Sequence, residues 1–130
     1  MRRVFALVSL LLSVFAMPSL AAEAPYTKAA FDGLLASGKP VAVVFHADWC
    51  PTCRAQAPVL KQLSGDGEFK DLTVLVADFD SEKALKKSLN VVTQSTIVVF
   101  RGGKEVARGT GQTDREHLAG LLHAALTTTG

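Results

Sequence analysis

Phe45-His46-Ala47-Asp48-Trp49-Cys50-Pro51-Thr52-Cys53-Arg54 carries the chain from an apolar, strand-like run into a helical pattern through two cysteines. These are the only cysteines among 130 residues. If Cys50 stands at the first turn of a helix, Cys53 falls about one turn on, on the same face. That spacing allows a short, reversible disulfide. It also points the Cys50 sulfur at unpaired backbone N–H groups and the positive end of the helix dipole, which favour a thiolate, the attacking form of cysteine. Two other readings compete. C-x-x-C is half of many zinc sites, although His46, His117 and His123 show no ligand-like pairing and no further cysteine exists. A structural staple is the third, but so short a loop constrains the unfolded chain little. The strand before the motif and the helix after it favour redox chemistry.

Working outward, Val41 to Phe45 is a continuous apolar run after Pro40, the pattern of a central strand buried on both faces. The helix after Cys53 has its apolar positions at Ala55, Ala57, Leu60 and Leu63 and is expected to kink near Gln56–Ala57, because Pro58 removes a backbone hydrogen bond. Before the strand, residues 27 to 37 read as a helix capped by Thr27 and ended by Gly38. Beyond the Gly65-Asp66-Gly67 loop, Leu72 to Ala77 is a second buried strand, and Ser81 is expected to cap a short helix carrying Leu85 and Leu89. Thr96 to Phe100 is a third apolar strand. Gly102-Gly103 signals a hairpin, with Glu105 to Arg108 returning. Thr113-x-x-Glu116 has the form of a capping box opening a last helix with Leu118, Leu121, Leu122 and Ala125 on its buried face. Strands alternating with helices imply right-handed crossovers, and the hairpin adds an antiparallel edge. The expected fold is one α/β domain, a mixed four-stranded sheet with helices on both faces. Its reactive helix starts at the carboxyl end of a central strand, where open α/β sheets place their sites.

The N-terminus has a different character. Met1-Arg2-Arg3, an apolar run from Val4 to Met17, and Pro18-Ser19-Leu20-Ala21-Ala22 have the form of a secretory signal peptide. The run is short for a membrane-spanning helix, which needs about 20 apolar residues. The expected division is a signal peptide over 1–22, with an uncleaved anchor as the alternative, and one domain over 23–130. Of 14 basic and 12 acidic residues, Arg2 and Arg3 leave with the signal, so the remainder balances at 12 against 12. No basic stripe suggests nucleic acid. The expected location is extracytoplasmic, in a periplasm or outside the cell. There a C-x-x-C protein either makes disulfides or is kept reduced by a dedicated electron supply.

Over residues 25 to 126 the chain resembles the thioredoxin-fold family. The matching residues are Phe45-x-Ala47-Asp48-Trp49-Cys50-x-x-Cys53-Arg54, Ala57-Pro58, the Asp80 turn, Thr96 to Phe100, and Gly111. The Ala47-Asp48-Trp49-Cys50 wording is also similar to the C-terminal domain of the transmembrane thiol:disulfide interchange reductases. The resemblance implies a thioredoxin-like fold, Cys50 as attacking and Cys53 as resolving cysteine, and a redox-active Cys50–Cys53 disulfide in place of any cofactor. It also implies a substrate groove bordered by Trp49, Gln94, Ser95 and Gly111. Three departures stand out. The family's cis proline before the third strand is replaced by Ser95. A cis bond before serine costs roughly 3 kcal/mol, so a trans bond is expected, and the serine N–H or hydroxyl gains the chance to bond either sulfur. The family's buried acid and its lysine partner fall at Val44 and Val76, leaving water, Asp48 or another group to deprotonate Cys53. Between the cysteines stand Pro51 and Thr52, which with Asp48 are the candidates for redox tuning.

His46 is expected as a partly exposed packing residue, and His117, His123 and the Lys83, Lys86 and Lys87 face as solvated. The sequence therefore reads as an exported thiol–disulfide oxidoreductase that reduces or exchanges protein disulfides, a monomer regenerated by a membrane electron donor. A disulfide-donating oxidant is the first alternative. The second is a metal or iron–sulfur module in which Cys50 and Cys53 of two chains supply four thiolates.

Overall fold

The computed structural model describes residues 23–127. The signal-peptide reading of residues 1–22 lies outside them, and among the described residues no helix is long and apolar enough to cross a membrane. The elements are β1 (Glu23–Pro25), α1 (Lys28–Ala36), β2 (Val41–His46), α2 (Pro51–Ser64), a single 3-10 turn (Gly67–Phe69), β3 (Thr73–Asp78), α3 (Lys83–Ser88), β4 (Thr96–Arg101), β5 (Lys104–Thr110) and α4 (Arg115–His123). The sheet has five strands in the order β1-β3-β2-β4-β5, not the four expected. The added strand is β1, three residues pairing parallel with Val74–Val76 at the sheet edge. Its Glu-Ala-Pro sequence is too short and too polar to show a strand period.

β2 is the axis. It runs parallel to β3 (Val43 opposite Leu75) and antiparallel to β4 (Val43 opposite Val98), so its backbone is paired on both sides. The period-two geometry of a strand sends alternate β2 side chains to opposite faces. Ala42 and Val44 meet Leu60, Leu63, Phe69, Leu118 and Leu122 on the α2/α4 side. Val41, Val43 and Phe45 meet Phe31, Leu85, Val91 and Phe100 on the α1/α3 side. Two cores thus press on one strand, and its carboxyl end is held from both faces.

The element ends show how local chemistry was settled. The Thr27 hydroxyl accepts from the Ala30 N–H and caps α1. Gly102 and Gly103 both have positive φ (58° and 76°), the backbone of a tight two-residue hairpin. Two expected caps are corrected. Ser81 does not cap α3, which begins at Lys83. Its N–H and hydroxyl both bond Asp78 Oδ1 at 2.8 Å, closing a turn instead. The cap of α4 is Asp114 rather than Thr113: its carboxylate accepts from the His117 N–H at 3.0 Å and from the His117 ring at 2.8 Å. A carboxylate is the stronger partner for a helix N-terminus. α2 continues unbroken through Pro58, and its buried face is Cys53, Gln56, Leu60 and Leu63. Of the apolar positions Ala55 is exposed, and Gln56 takes the inward position beside it.

Candidate active site

The site assembles where β2 ends. Ala47 accepts a hydrogen bond from the Cys50 N–H (3.1 Å), turning the chain so that Cys50 becomes the N-cap of α2, with Pro51 at the first helical position. Proline suits that position because its fixed φ matches a helix and its missing N–H would have no partner there. The Cys50 sulfur does what a capping oxygen usually does: it accepts the Cys53 N–H at 3.2 Å. Both cysteines are free thiols, and both are buried, Cys53 completely. Ala47 and the flank of Phe79 pack against them.

Ser95, immediately before β4, faces both sulfurs. Its Oγ lies 2.9 Å from Cys53 Sγ and 3.5 Å from Cys50 Sγ. The peptide before it is trans, as expected from the loss of proline. Its φ is +59°, a left-handed value uncommon for a residue with a side chain. Three elements hold it there. The Ser95 N–H donates to Phe45 O at the end of β2 (2.9 Å), and its carbonyl accepts from the Gly111 N–H (3.1 Å) and from Gln56 Nε2 (3.4 Å). Gln56, fully buried, also donates to Gln112 O at 2.9 Å, tying α2 to the segment after β5. Gln56 was missed in the sequence because a glutamine breaks an apolar stripe. Its only signal was the spacing of three from Cys53 and four to Leu60, both inward-facing.

Burial pushes the Cys50 thiol up, but it is outweighed by hydrogen bonds from the Cys53 and Ser95 side chains, the Cys53 N–H and the Gln94 amide, leaving the group at about 7 against an ordinary 9.0. Cys53 moves the other way. Burial raises it, and so does its bond to Cys50, since giving up that proton removes support from the Cys50 anion. The two groups are thus driven apart: one is poised to be an anion near neutrality, and its mate keeps its proton.

The remaining predicted residues fall around this pair. Trp49 is 58% exposed next to Cys50, its indole N–H donating to Asp80 Oδ2 at 2.8 Å. Gln94 is half-buried and Gly111 exposed, with φ +80°. Pro51 and Thr52 are exposed. Asp48 is fully exposed and bonds His46 Nε2 (2.9 Å), with no contact to either sulfur. It is therefore not placed to take the Cys53 proton. Val44 and Val76 line a cavity of about 120 Å³ with Leu60, Val74, Ala57, Gln56, His46 and Glu23. Among the described residues, no hydrogen bond joins Glu23 or His46 to a sulfur, and no three His, Cys, Asp or Glu side chains cluster as metal ligands.

The sequence matches the thioredoxin family over residues 23–124. It is 34% identical over 93 residues to a thioredoxin of Chlamydia pneumoniae, covering 72% of this chain and 88% of that one. It is 37% identical over 81 residues, 62% of this chain, to a bifunctional thioredoxin reductase/thioredoxin of Mycobacterium leprae, of which it spans only 18%. Among solved structures, Trxlp from Edwardsiella tarda superposes with a TM-score of 0.75 at 40% identity, covering 78% of this chain and 98% of that one.

Proposed function

Because this chain belongs to the thioredoxin family, whose members are thiol–disulfide oxidoreductases acting on protein thiols and disulfides, we propose that it is an exported reductase or exchange carrier. Cys50 is the attacking sulfur and Cys53 the resolving one. Cys50 attacks a substrate disulfide and forms a mixed disulfide; Cys53 then displaces the reduced substrate and closes the Cys50–Cys53 bond. Trp49, Gln94, Ser95 and Gly111 border the groove that receives the substrate chain, and a membrane electron donor returns the protein to the dithiol. The protein works as a monomer.

The observation that carries this reading is the geometry at the start of α2: the Cys50 sulfur caps the helix and accepts the Cys53 N–H at 3.2 Å, the Ser95 hydroxyl reaches both sulfurs, and Cys53 is wholly buried, an arrangement that lowers the Cys50 thiol and raises that of Cys53. The reductive direction rests on the Ala47-Asp48-Trp49-Cys50 wording shared with the transmembrane thiol:disulfide interchange reductases. A redox titration followed through Trp49, the only tryptophan, tests the direction: a potential near about −270 mV supports it, and one near about −120 mV makes the protein a disulfide donor. Export is supported by the basic, apolar and small-residue order of residues 1–22. Fractionation of cells expressing the whole chain, with the N-terminus of the product sequenced, should give extracytoplasmic protein starting after Ala21 or Ala22; cytoplasmic protein retaining Met1 overturns it.

A further inference from the structure

The two free thiols share one buried neighbour, and that neighbour is fully bonded in only one redox state. Ser95 is 2% exposed, and among the described residues its hydroxyl's hydrogen-bond partners are Cys53 Sγ at 2.9 Å and Cys50 Sγ at 3.5 Å. A hydroxyl has one proton to give and lone pairs that accept. Cys50 ionises first and Cys53 keeps its proton. The Cys53 S–H therefore donates to the oxygen, and the hydroxyl proton goes to the Cys50 anion. A bond to a charged acceptor is the stronger kind. Closing the Cys50–Cys53 disulfide removes both partners at once: the anion becomes a neutral, weakly accepting sulfur, and the S–H donor is gone. Solvent does not reach the hydroxyl to replace them, and a buried polar group left without its partner is costly. The backbone bonds that fix Ser95 run to Phe45, Gln56 and Gly111 and involve no sulfur, so both redox states keep them.

We propose that Ser95 sets the balance between dithiol and disulfide, its hydroxyl holding the protein in the reduced form. This deepens the dithiol reading above and rests on it. Against glutathione, the Cys50 anion, the Cys53 thiol, one glutathione disulfide and one proton from solvent give the Cys50–Cys53 disulfide and two glutathione thiols. The protein loses two electrons, the glutathione disulfide gains them, and the serine is unchanged. Its hydroxyl stabilises one side of that equation and not the other. A proline at this position, as in the family pattern, has neither a hydroxyl nor an N–H, so this control belongs to the serine. The electron-loaded form of the carrier persists longer, and its reducing power is lower by what the hydroxyl contributes.

The test is equilibration of the whole chain at pH 7 with glutathione buffers of graded thiol-to-disulfide ratio, for native protein, Ser95→Ala and Ser95→Gly. Acid quench and mass spectrometry count the two forms. Alanine keeps the Cβ and hence the strain at φ +59°, whereas glycine relaxes it. Strain present in both redox states cancels, so the two variants should shift the equilibrium alike. The shift should be about tenfold toward the disulfide, the lower end for a bond to a charged group, which is ~30 mV more reducing. Urea unfolding of each redox form separates this from a structural role: Ser95→Ala should weaken the reduced form and leave the oxidised form unchanged or firmer. An unchanged equilibrium in either variant overturns the proposal, as does a shift toward the dithiol or an equal loss of stability in both redox forms. If the variants do not fold, the native chain still decides. In isotope-labelled reduced protein the Ser95 Cβ resonance should titrate with the Cys50 alkylation midpoint and lie flat in oxidised protein; a resonance that ignores Cys50 overturns the proposal. Native protein that forms no Cys50–Cys53 disulfide in any buffer is a different result and sinks the dithiol reading itself.

Discussion

The anionic character of Cys50 can be checked without any substrate, by its alkylation rate against pH. Only thiolate reacts, so the rate follows the ionised fraction. With the group at about 7, that fraction is about one half at pH 7 and nearly complete at pH 9; for a thiol at the ordinary 9.0 it climbs from about one hundredth to one half. Between pH 7 and 9 Cys50 labelling should therefore rise only about twofold, against about fiftyfold for an unshifted thiol at 9.0. Burial of Cys50 slows the reaction at every pH and leaves this ratio untouched. Nucleophilicity also falls with basicity, so above the midpoint Cys50 should reach a lower plateau than that unshifted thiol, by about six- to tenfold for two units. The assay is mass-spectrometric labelling of the reduced whole chain with iodoacetamide, peptides containing Cys50 and Cys53 being quantified separately. Cys53, raised and buried, should stay unlabelled below pH 9. A Cys50 rate that keeps climbing tens of fold from pH 7 to 9 refutes the claim that the α2 terminus and its neighbours hold an anion there.

The same shift should shape the potential: two protons accompany two electrons below pH 7, giving a slope of about −59 mV per pH unit, and one above it, giving about −30 mV, so a single slope to pH 8.5 contradicts the assignment. Gln56→Leu keeps the volume but leaves the Gln112 carbonyl without its donor; a loss of about 1–3 kcal/mol in urea unfolding is expected, with the Cys50 alkylation midpoint moving upward as Ser95 loosens, and a neutral change in both would remove Gln56 as a positioning residue. Asp80→Ala frees the Trp49 indole N–H. Tryptophan anisotropy should fall and KM for a protein disulfide rise a few-fold, with less than about 1 kcal/mol of stability lost because the bond is exposed; unchanged anisotropy would show that Asp80 does not hold the ring.

Much of this arrangement was legible in the residues. Val41–Phe45, Leu72–Ala77 and Thr96–Phe100 announced themselves because strands buried on both faces need unbroken apolar runs, and β2, β3 and β4 are those strands. Cys50 and Cys53 were legible because their spacing fixes their relation on a helix whatever surrounds it. What escaped depends on contacts distant in sequence. Glu23–Pro25 becomes a strand only because β3 offers it an edge. Gln56 is inside because the carbonyls of Ser95 and Gln112, 39 and 56 residues away, need donors. That Asp114 rather than Thr113 caps α4 depends on His117 turning back onto the carboxylate.

Ser95 ties these scales together. A left-handed residue with a side chain costs about 1–2 kcal/mol, and a net hydrogen bond contributes about 1 kcal/mol. The bonds from Ser95 N–H to Phe45 and from Gly111 and Gln56 to the Ser95 carbonyl can therefore hold the strained conformation, provided all three elements are in place. Those elements are set by the two cores on either face of β2. As long as the chain is folded those cores keep the three elements in place, and the local hydrogen bonds then set the hydroxyl against the sulfurs. It follows that a mildly destabilising substitution deep in the α2/α4 core, such as one at Leu118, should leave Cys50 chemistry intact as long as the chain stays folded, whereas Gln56 or Gly111, which contribute little apolar area, should alter it before the fold is lost. Leu118 thus bears on stability alone and Gln56 on stability and site geometry together, and the Cys50 labelling profile should separate them.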